Sequence, residues 1–181
     1  MNGEEDSSKI LTSERKPTRV HLLIFQVGGI NFALILQESA YIKSIFHGVT
    51  PYEPTVKVPN TPEYIKGLTN YKGKLVLVVD LGKVLKIPIK KSRENKFILL
   101  EIEDELRAFL VDDVTDTDWV DDISIEMQTY YSIAGMSIPF VAATVMVKNR
   151  ILPIIDPNLI FASTPKENEE NSSFSELSDK I

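Results

Sequence analysis

The run "KGKLVLVVD", residues 72–80, opens with two lysines around a glycine, continues through five apolar residues and ends on an aspartate. Turn chemistry followed by a Val/Leu run is the signature of a short β-strand. The same figure returns as "KNRILPIID" at residues 148–156, basic at its turn, apolar in the same places and closed by Asp156. The displacement is 76 residues, and it also lays Leu22, Leu23 and Ile24 on Ile98, Leu99 and Leu100, and Leu34-Ile35 on Leu110-Val111. One offset linking separate segments points to an internal duplication. A unit of about 75 residues buries only about 60% of its unfolded surface and is marginal alone. Two such units packed together share a core, so the expected architecture is a pair of similar small β-barrels.

Further strand signals surround this pair. "VHLLIFQV" (20–27), Gly28-Gly29 and "INFALIL" (30–36) read as a hairpin on a two-residue turn. "KFILLEI" (96–102) and "LRAFLVDDV" (106–114) repeat it. Pro153 marks "RILPIIDP" as an edge or bulged strand. Helix signals are few: Pro62 to Lys66 after Thr61, and Pro157 to Phe161, each with proline at a first helical position. "LQESAYIKSIF" (36–46) fits a helix or a strand. Residues 1–17 and 163–181 are polar, charged and aperiodic and are expected to be flexible tails around a body spanning 18–162.

The 181-residue chain has 43% hydrophobic residues, as a globular domain does, and no cysteine, which excludes disulfides, thiolate chemistry and Cys-zinc sites. The polar start "MNGEEDSSKILTSERK" lacks the apolar core of a signal peptide, and the longest nearly uncharged apolar run, 137–147, is too short to span a bilayer. A reducing cytoplasm is the expected compartment, with no direct membrane insertion. The net charge of −6 disfavours a nucleic-acid binder. The charge is unevenly spread: residues 57–93 hold nine Lys/Arg against Glu63 and Asp80, and residues 101–126 hold eleven Asp/Glu against Arg107. This is either a solvated surface or a polarity suited to head-to-tail association.

A search for catalytic chemistry yields no candidate. No serine stands in G-x-S-x-G, and the eight glycines form neither G-x-G-x-x-G nor a P-loop. His21 belongs to a strand run, at an exposed or edge position, and His47 has no recognisable partner. The acidic stretch "DDVTDTDWVDD" (112–122) fails as a calcium loop, because a loop begun at Asp116 has Val120, Asp121 and Met127 where positions five, six and twelve need a ligand, glycine and glutamate. It reads as solvated loop acids, with Trp119 over the core or against a partner. Asp80 and Asp156, duplicated at strand ends, read as helix caps. No cofactor or metal is expected. The lysines of 57–91 with Tyr52, Tyr64 and Tyr71 leave a nucleic-acid or anion-binding module as an alternative.

In "NTPEYIKGLTNYKGKLVLVVDL" the elements Thr61-Pro62, Ile65-Lys66-Gly67, Asn70-Tyr71-Lys72-Gly73 and Val76 to Asp80-Leu81 stand in order. This segment resembles the hallmark of the CheW-like coupling domain. "LIFQVGGINFALIL" is similar to that family's first hairpin, "AFLVDDVTDTDWV" to its Val-Asp-x-Val segment, and "ILPIIDPNLIF" to its closing strand and helix. The resemblance runs from Val20 to Phe161. It implies a mainly β fold of two five-stranded SH3-like barrels and a non-catalytic adaptor. Such adaptors join the cytoplasmic tip of methyl-accepting chemoreceptors to the regulatory domain of the histidine kinase CheA. Receptors dock between the barrels and kinase at barrel ends, in membrane-associated arrays. A pathway other than chemotaxis, such as surface motility, stays open.

The chain departs from the family pattern twice. The arginine of Asn-x-Arg-Gly is Lys72, which keeps the charge and loses the planar two-point fork. The family's upstream glutamate, able to pair with that arginine, corresponds to Tyr41 in "SAYI". The partner-binding residues expected from the resemblance are Tyr41, Ile42, Lys66, Gly67, Asn70, Lys72 and Gly73. Gly67 and Gly73 are expected to permit tight turns, and Asn70 to fix a loop by a side-chain hydrogen bond.

Overall fold

The computed structural model describes residues 18–37, 44–89, 92, 94–128 and 130–162. In chain order the strands are β1 (Arg19–Val27), β2 (Ile30–Ile35), β3 (Ile45–Pro51), β4 (Ile65–Tyr71), β5 (Lys74–Asp80), β6 (Lys96–Ile102), β7 (Glu105–Val111), β8 (Asp113–Asp121), β9 (Ile125–Met127), β10 (Ser132–Ile133), β11 (Met136–Ser137), β12 (Val141–Val147) and β13 (Arg150–Ile155). Two helices, α1 (Leu81–Leu85) and α2 (Pro157–Ala162), follow β5 and β13. Sheet order is β8-β1-β2-β13-β12-β9 in the first barrel and β3-β6-β7-β5-β4 in the second, with β10-β11 as a separate ribbon. The first barrel has six strands where five were expected. Its sixth, β9, is short and pairs with the outer edge of β12. In the second barrel the matching edge of β4 holds only the single bridge Val56–Leu68.

The barrels share one plan. The β4–β5 pair and the β12–β13 pair coincide at the 76-residue offset down to a bulge, at Ile65/Gly67 in one and Val141/Ala143 in the other. Each second hairpin joins its barrel through a parallel pair, Val78 with Ala108 and Ile154 with Ala33. The first hairpins correspond differently from the expectation. Leu22 faces Ile35 across β1–β2, and Phe97 faces Leu110 across β6–β7, so these hairpins match at an offset of 75. The single-residue slip matters, because neighbouring residues of a strand face opposite sides. Leu22 equates with Phe97, not Ile98.

The barrels are also not the two sequence halves. The first barrel takes β1–β2 from the first repeat and β12–β13 from the second, while the second barrel takes β6–β7 from the second repeat and β4–β5 from the first. The repeats have exchanged their first hairpins. As a result residues 45–111 form one barrel without interruption, inserted between β2 and β8 of the other.

Exchange places β1 and β6 between two cores, which explains their nearly unbroken apolar sequence. Leu23, Phe25 and Val27 of β1 and Ile98, Leu100 and Ile102 of β6 join a cluster shared by both barrels, with Phe32, Phe109 and Leu85. The opposite faces fill the separate interiors: Leu22 and Ile24 with Val145 and Ile154, and Phe97 and Leu99 with Val76 and Val78. The shared cluster contains 19 buried residues against ten and six in the separate interiors. Somewhat more than half of these buried apolar residues therefore lie between the barrels, and separating the barrels would expose them to water.

Both strand-end aspartates cap helices, as their repetition suggested. Asp80 Oδ1 accepts from the Lys83 backbone N–H at 3.1 Å, and buried Asp156 accepts from the Asn158 N–H at 2.9 Å. The helix expected at Pro62–Lys66 is instead a turn entering β4. Proline there satisfies a helix-start rule, but residues from Ile65 onward pair with β5, and long-range pairing overrides the local signal. The acidic stretch expected as a loop is strand β8, paired along β1. Its carboxylates hide the strand from sequence, and they also guard an open sheet edge. His21 lies inside the sheet between β2 and β8, not at an edge, and its ring stacks on Trp119 with centroids 4.3 Å apart. Of the ambiguous stretch 36–46, Ile45 and Phe46 are strand, and residues 38–43 lie outside the described residues. No helix among the described residues is long and apolar enough to cross a membrane.

Candidate functional site

The β4–β5 turn is a two-residue connection with Lys72 and Gly73 both left-handed, at φ 51° and 82°. Asn70 Oδ1 accepts the Gly73 N–H at 2.9 Å and closes the turn from inside, the role expected of it. That geometry follows the right-handed twist of the strands and holds the Lys72 side chain outward. The Lys72 ammonium stands 5.0 Å from the centre of the Tyr71 ring. Among the described residues no carboxylate lies within ion-pair distance of it.

The duplicate turn differs. Lys148 and Asn149 repeat the left-handed pair, at φ 49° and 62°. Lys148 Nζ, however, lies 2.8 Å from Asp116 Oδ2 and 3.6 Å from Asp118 Oδ2 on β8. The hydrogen bond from Lys148, then that from the Thr117 N–H, hold the Asp116 carboxyl below its ordinary value, and the same contact raises the Lys148 ammonium above its own. One turn lysine is engaged within the chain, and the other faces solvent.

Lys66 and Gly67 lie at the far end of β4, roughly 20 Å along the strand from Lys72. The structure does not bring Lys66 and Lys72 into one contact. Gly67 sits at the bulge, not in a turn. A Cβ there would lie 2.2 Å from the Val56 carbonyl oxygen, so glycine is needed for close backbone approach. Lys66 Nζ is 5.8 Å from the Tyr52 ring centre, at the mouth of a cavity of about 750 Å³ whose lining includes Lys83, Lys86, Ile89 and Leu110. Tyr41 and Ile42 lie outside the described residues.

Residues that the sequence did not single out join the surface beside the turn. Leu75, opposite Asn70, is 74% exposed, and its duplicate Ile151, opposite Met146, is 60% exposed. Val56, 74% exposed, bridges Leu68 at the other end of β4, beside the Gly67 bulge. Unbroken apolar runs concealed which of their members face outward. The turn end of the second barrel combines exposed ammonium groups with the large apolar side chain of Leu75, an arrangement suited to binding another protein.

A family model described as a CheW-like domain matches residues 21–165. The chain belongs to the CheW-like family. It is 28% identical over 153 residues to "Chemotaxis protein CheW" of Bacillus subtilis (strain 168), covering 83% of this chain and 91% of the relative. It is 22% identical over 147 residues to "Probable chemotaxis protein CheW" of Rhizobium etli, covering 81% and 90%. Among solved structures it resembles scaffolding protein TtCheW from Thermoanaerobacter tengcongensis, with a TM-score of 0.69, 25% identity and coverage of 84% and 97%. In this CheW-like chain His47 does have a partner. Its Nε2 is 2.8 Å from Glu101 Oε2 across the β3–β6 pair. The partner is 54 positions away, beyond the reach of local sequence reading. Asp80 and Asp156, the other candidates for chemistry, have their carboxylates committed to caps.

Proposed function

We propose that this CheW-like chain is a non-catalytic adaptor of the cytoplasm that couples methyl-accepting chemoreceptors to a CheA-type histidine kinase and is recruited with them into membrane arrays. The turn Asn70–Gly73, together with Tyr41, Ile42 and Lys66, forms the receptor-facing surface. Leu75 belongs with this turn, and the end of the first barrel marked by its duplicate Ile151 faces kinase or neighbouring adaptor units. The observation that carries this reading is the contrast between two superposable turns. Lys148 is neutralised within the chain, whereas Lys72 is held outward on a rigid turn beside exposed apolar residues. A charge carried on a preformed turn beside apolar surface suits recognition, since the backbone needs no ordering on binding and only the lysine side chain remains to be fixed.

The test is reconstitution of the full chain with receptor cytoplasmic fragments and kinase, reading co-sedimentation and kinase activity. Receptor-dependent recruitment of kinase that requires this chain is the expected result. Binding of labelled oligonucleotide at physiological salt, with no capture of kinase, would replace the adaptor with an anion-binding module.

A further inference from the structure

The duplication provides an internal control for the cavity under α1. At the 76-residue offset its three rim lysines, Lys66, Lys83 and Lys86, correspond to Ala142, Leu159 and Ala162, while the capping Asp80 corresponds to Asp156. The same strand, cap and helix are thus built in the first barrel with no lysine at any of these positions, so the scaffold does not require them. Lys83 is engaged with Glu63 at 3.1 Å. Among the described residues Lys66 and Lys86 have no carboxylate within ion-pair distance. In the same cavity Tyr52, Ile89 and Leu110 supply an apolar floor, and the carboxylate of Asp80, also in the lining, is committed to its helix cap. A floor of this kind, flanked by uncommitted cations, suits a peptide carrying several carboxylates and an occasional large apolar side chain.

Residues 163–181 of the same chain, "STPKENEENSSFSELSDKI", have that composition. They contain five acids against two lysines, and Phe174, Leu177 and Ile181 lie among polar residues. We propose that this segment docks on the cavity, with Phe174 over the apolar floor and its glutamates against Lys66 and Lys86. Nineteen residues reach up to roughly 60 Å, against a radius of gyration of about 15 Å for a body of this size. Tethering gives the segment an effective concentration in the millimolar range, so even a weak contact is populated. A partner that uses Lys66 must then displace it.

Because the chain has no cysteine, Ser173→Cys in the full chain gives one attachment point for a nitroxide, whose broadening of backbone amide signals reports proximity. Signals of Lys66, Lys86 and Ile89 are expected to lose more intensity than that of Ala142. The comparison is stringent, since Ala142 is in the same barrel as α2, which immediately precedes the segment, and an undocked segment would broaden its own neighbourhood first. The difference should vanish at high salt and in the Lys66→Glu/Lys86→Glu chain. If that double variant misfolds, glutamine at Glu167, Glu169, Glu170 and Glu176 leaves the body unaltered and should abolish the difference equally. Equal broadening at Ala142 and the cavity, or broadening indifferent to both sets of substitutions, overturns the proposal. So does a response of the cavity signals to an added acidic peptide of unrelated sequence when the chain's own segment produces none.

Discussion

In the first barrel the β12–β13 turn ties its lysine to Asp116 and Asp118, and in the second barrel the β4–β5 turn leaves its lysine facing water. The two turns have the same length, the same left-handed pair and the same bulge upstream. The backbone plan was kept in both copies, and the groups facing solvent diverged. Where one copy closes its charges internally and the other leaves them open, the open copy is the better candidate for a partner surface. The cavity lysines, absent from the first barrel, fall on the same side of this division.

The comparison assumes that the barrels stand or fall together through the shared core. Phe97→Ala hollows only the interior of the second barrel and should cost about 3–5 kcal/mol. The only tryptophan, Trp119, lies in the first barrel. Its fluorescence in urea should lose the same stability as far-UV circular dichroism. A Trp119 transition unmoved by Phe97→Ala would mean that the barrels unfold independently.

The matched bulges provide a second test. Gly67→Ala drives a methyl group into the Val56 carbonyl and should cost about 3 kcal/mol or more by equilibrium unfolding. The reciprocal change, Ala143→Gly, removes one buried methyl group and should cost about 1–2 kcal/mol. Similar costs at the two sites would show that the bulges are packed alike after all.

The lysines themselves come next. Lys72→Glu should weaken receptor co-sedimentation by about tenfold or more, and Lys148→Glu should leave it near the wild-type level. The opposite ranking would transfer the partner surface to the first barrel. Lys72→Arg, by contrast, should bring no gain in kinase activation if, as the family resemblance implies, Tyr41 corresponds to the glutamate that an arginine fork would grip. A clear gain would refute the idea that positions 41 and 72 changed together.

The smallest effect belongs to the Lys148 pair, which is exposed to solvent and screened. A carboxyl held below its ordinary value of 3.8 favours the fold above that pH, and this contribution is lost as pH falls through the lower native value. The raised ammonium favours the fold below 10.5, and its contribution is lost as pH rises through the higher native value. Lys148→Met should therefore lower Tm slightly at neutral pH, and the difference should disappear in strong acid. A deficit that persists there would assign the lysine a packing role.

Much of the architecture was legible because strands and turns announce themselves locally. Two apolar runs ending in aspartate named both helix caps, and Asn70 three residues before Gly73 named its own hydrogen bond. The hairpin exchange was not legible. Offsets of 75 and 76 both lay apolar residues on apolar residues, and only the side of the strand each residue faces separates them. Strand β8 escaped because its outward acids mask alternation. At the site, the motif located Lys72, but its freedom is defined by contrast with Lys148, whose partner Asp116 is 32 positions distant. Leu75 and Ile151 were concealed inside unbroken apolar runs, where no polar alternation marks the outward face.

The exchanged hairpins also order events during synthesis. The second barrel is complete once residue 111 has been made, whereas β2 must await β13, about 120 residues behind it. At about 5–20 residues per second that interval is roughly 6–24 s. Until residue 111 is made the β1–β2 hairpin has both apolar faces formed and neither barrel complete, and from there to β13 it has only the second. A growing chain of this protein therefore presents unsatisfied strand edges to its surroundings for longer than its modest size would suggest.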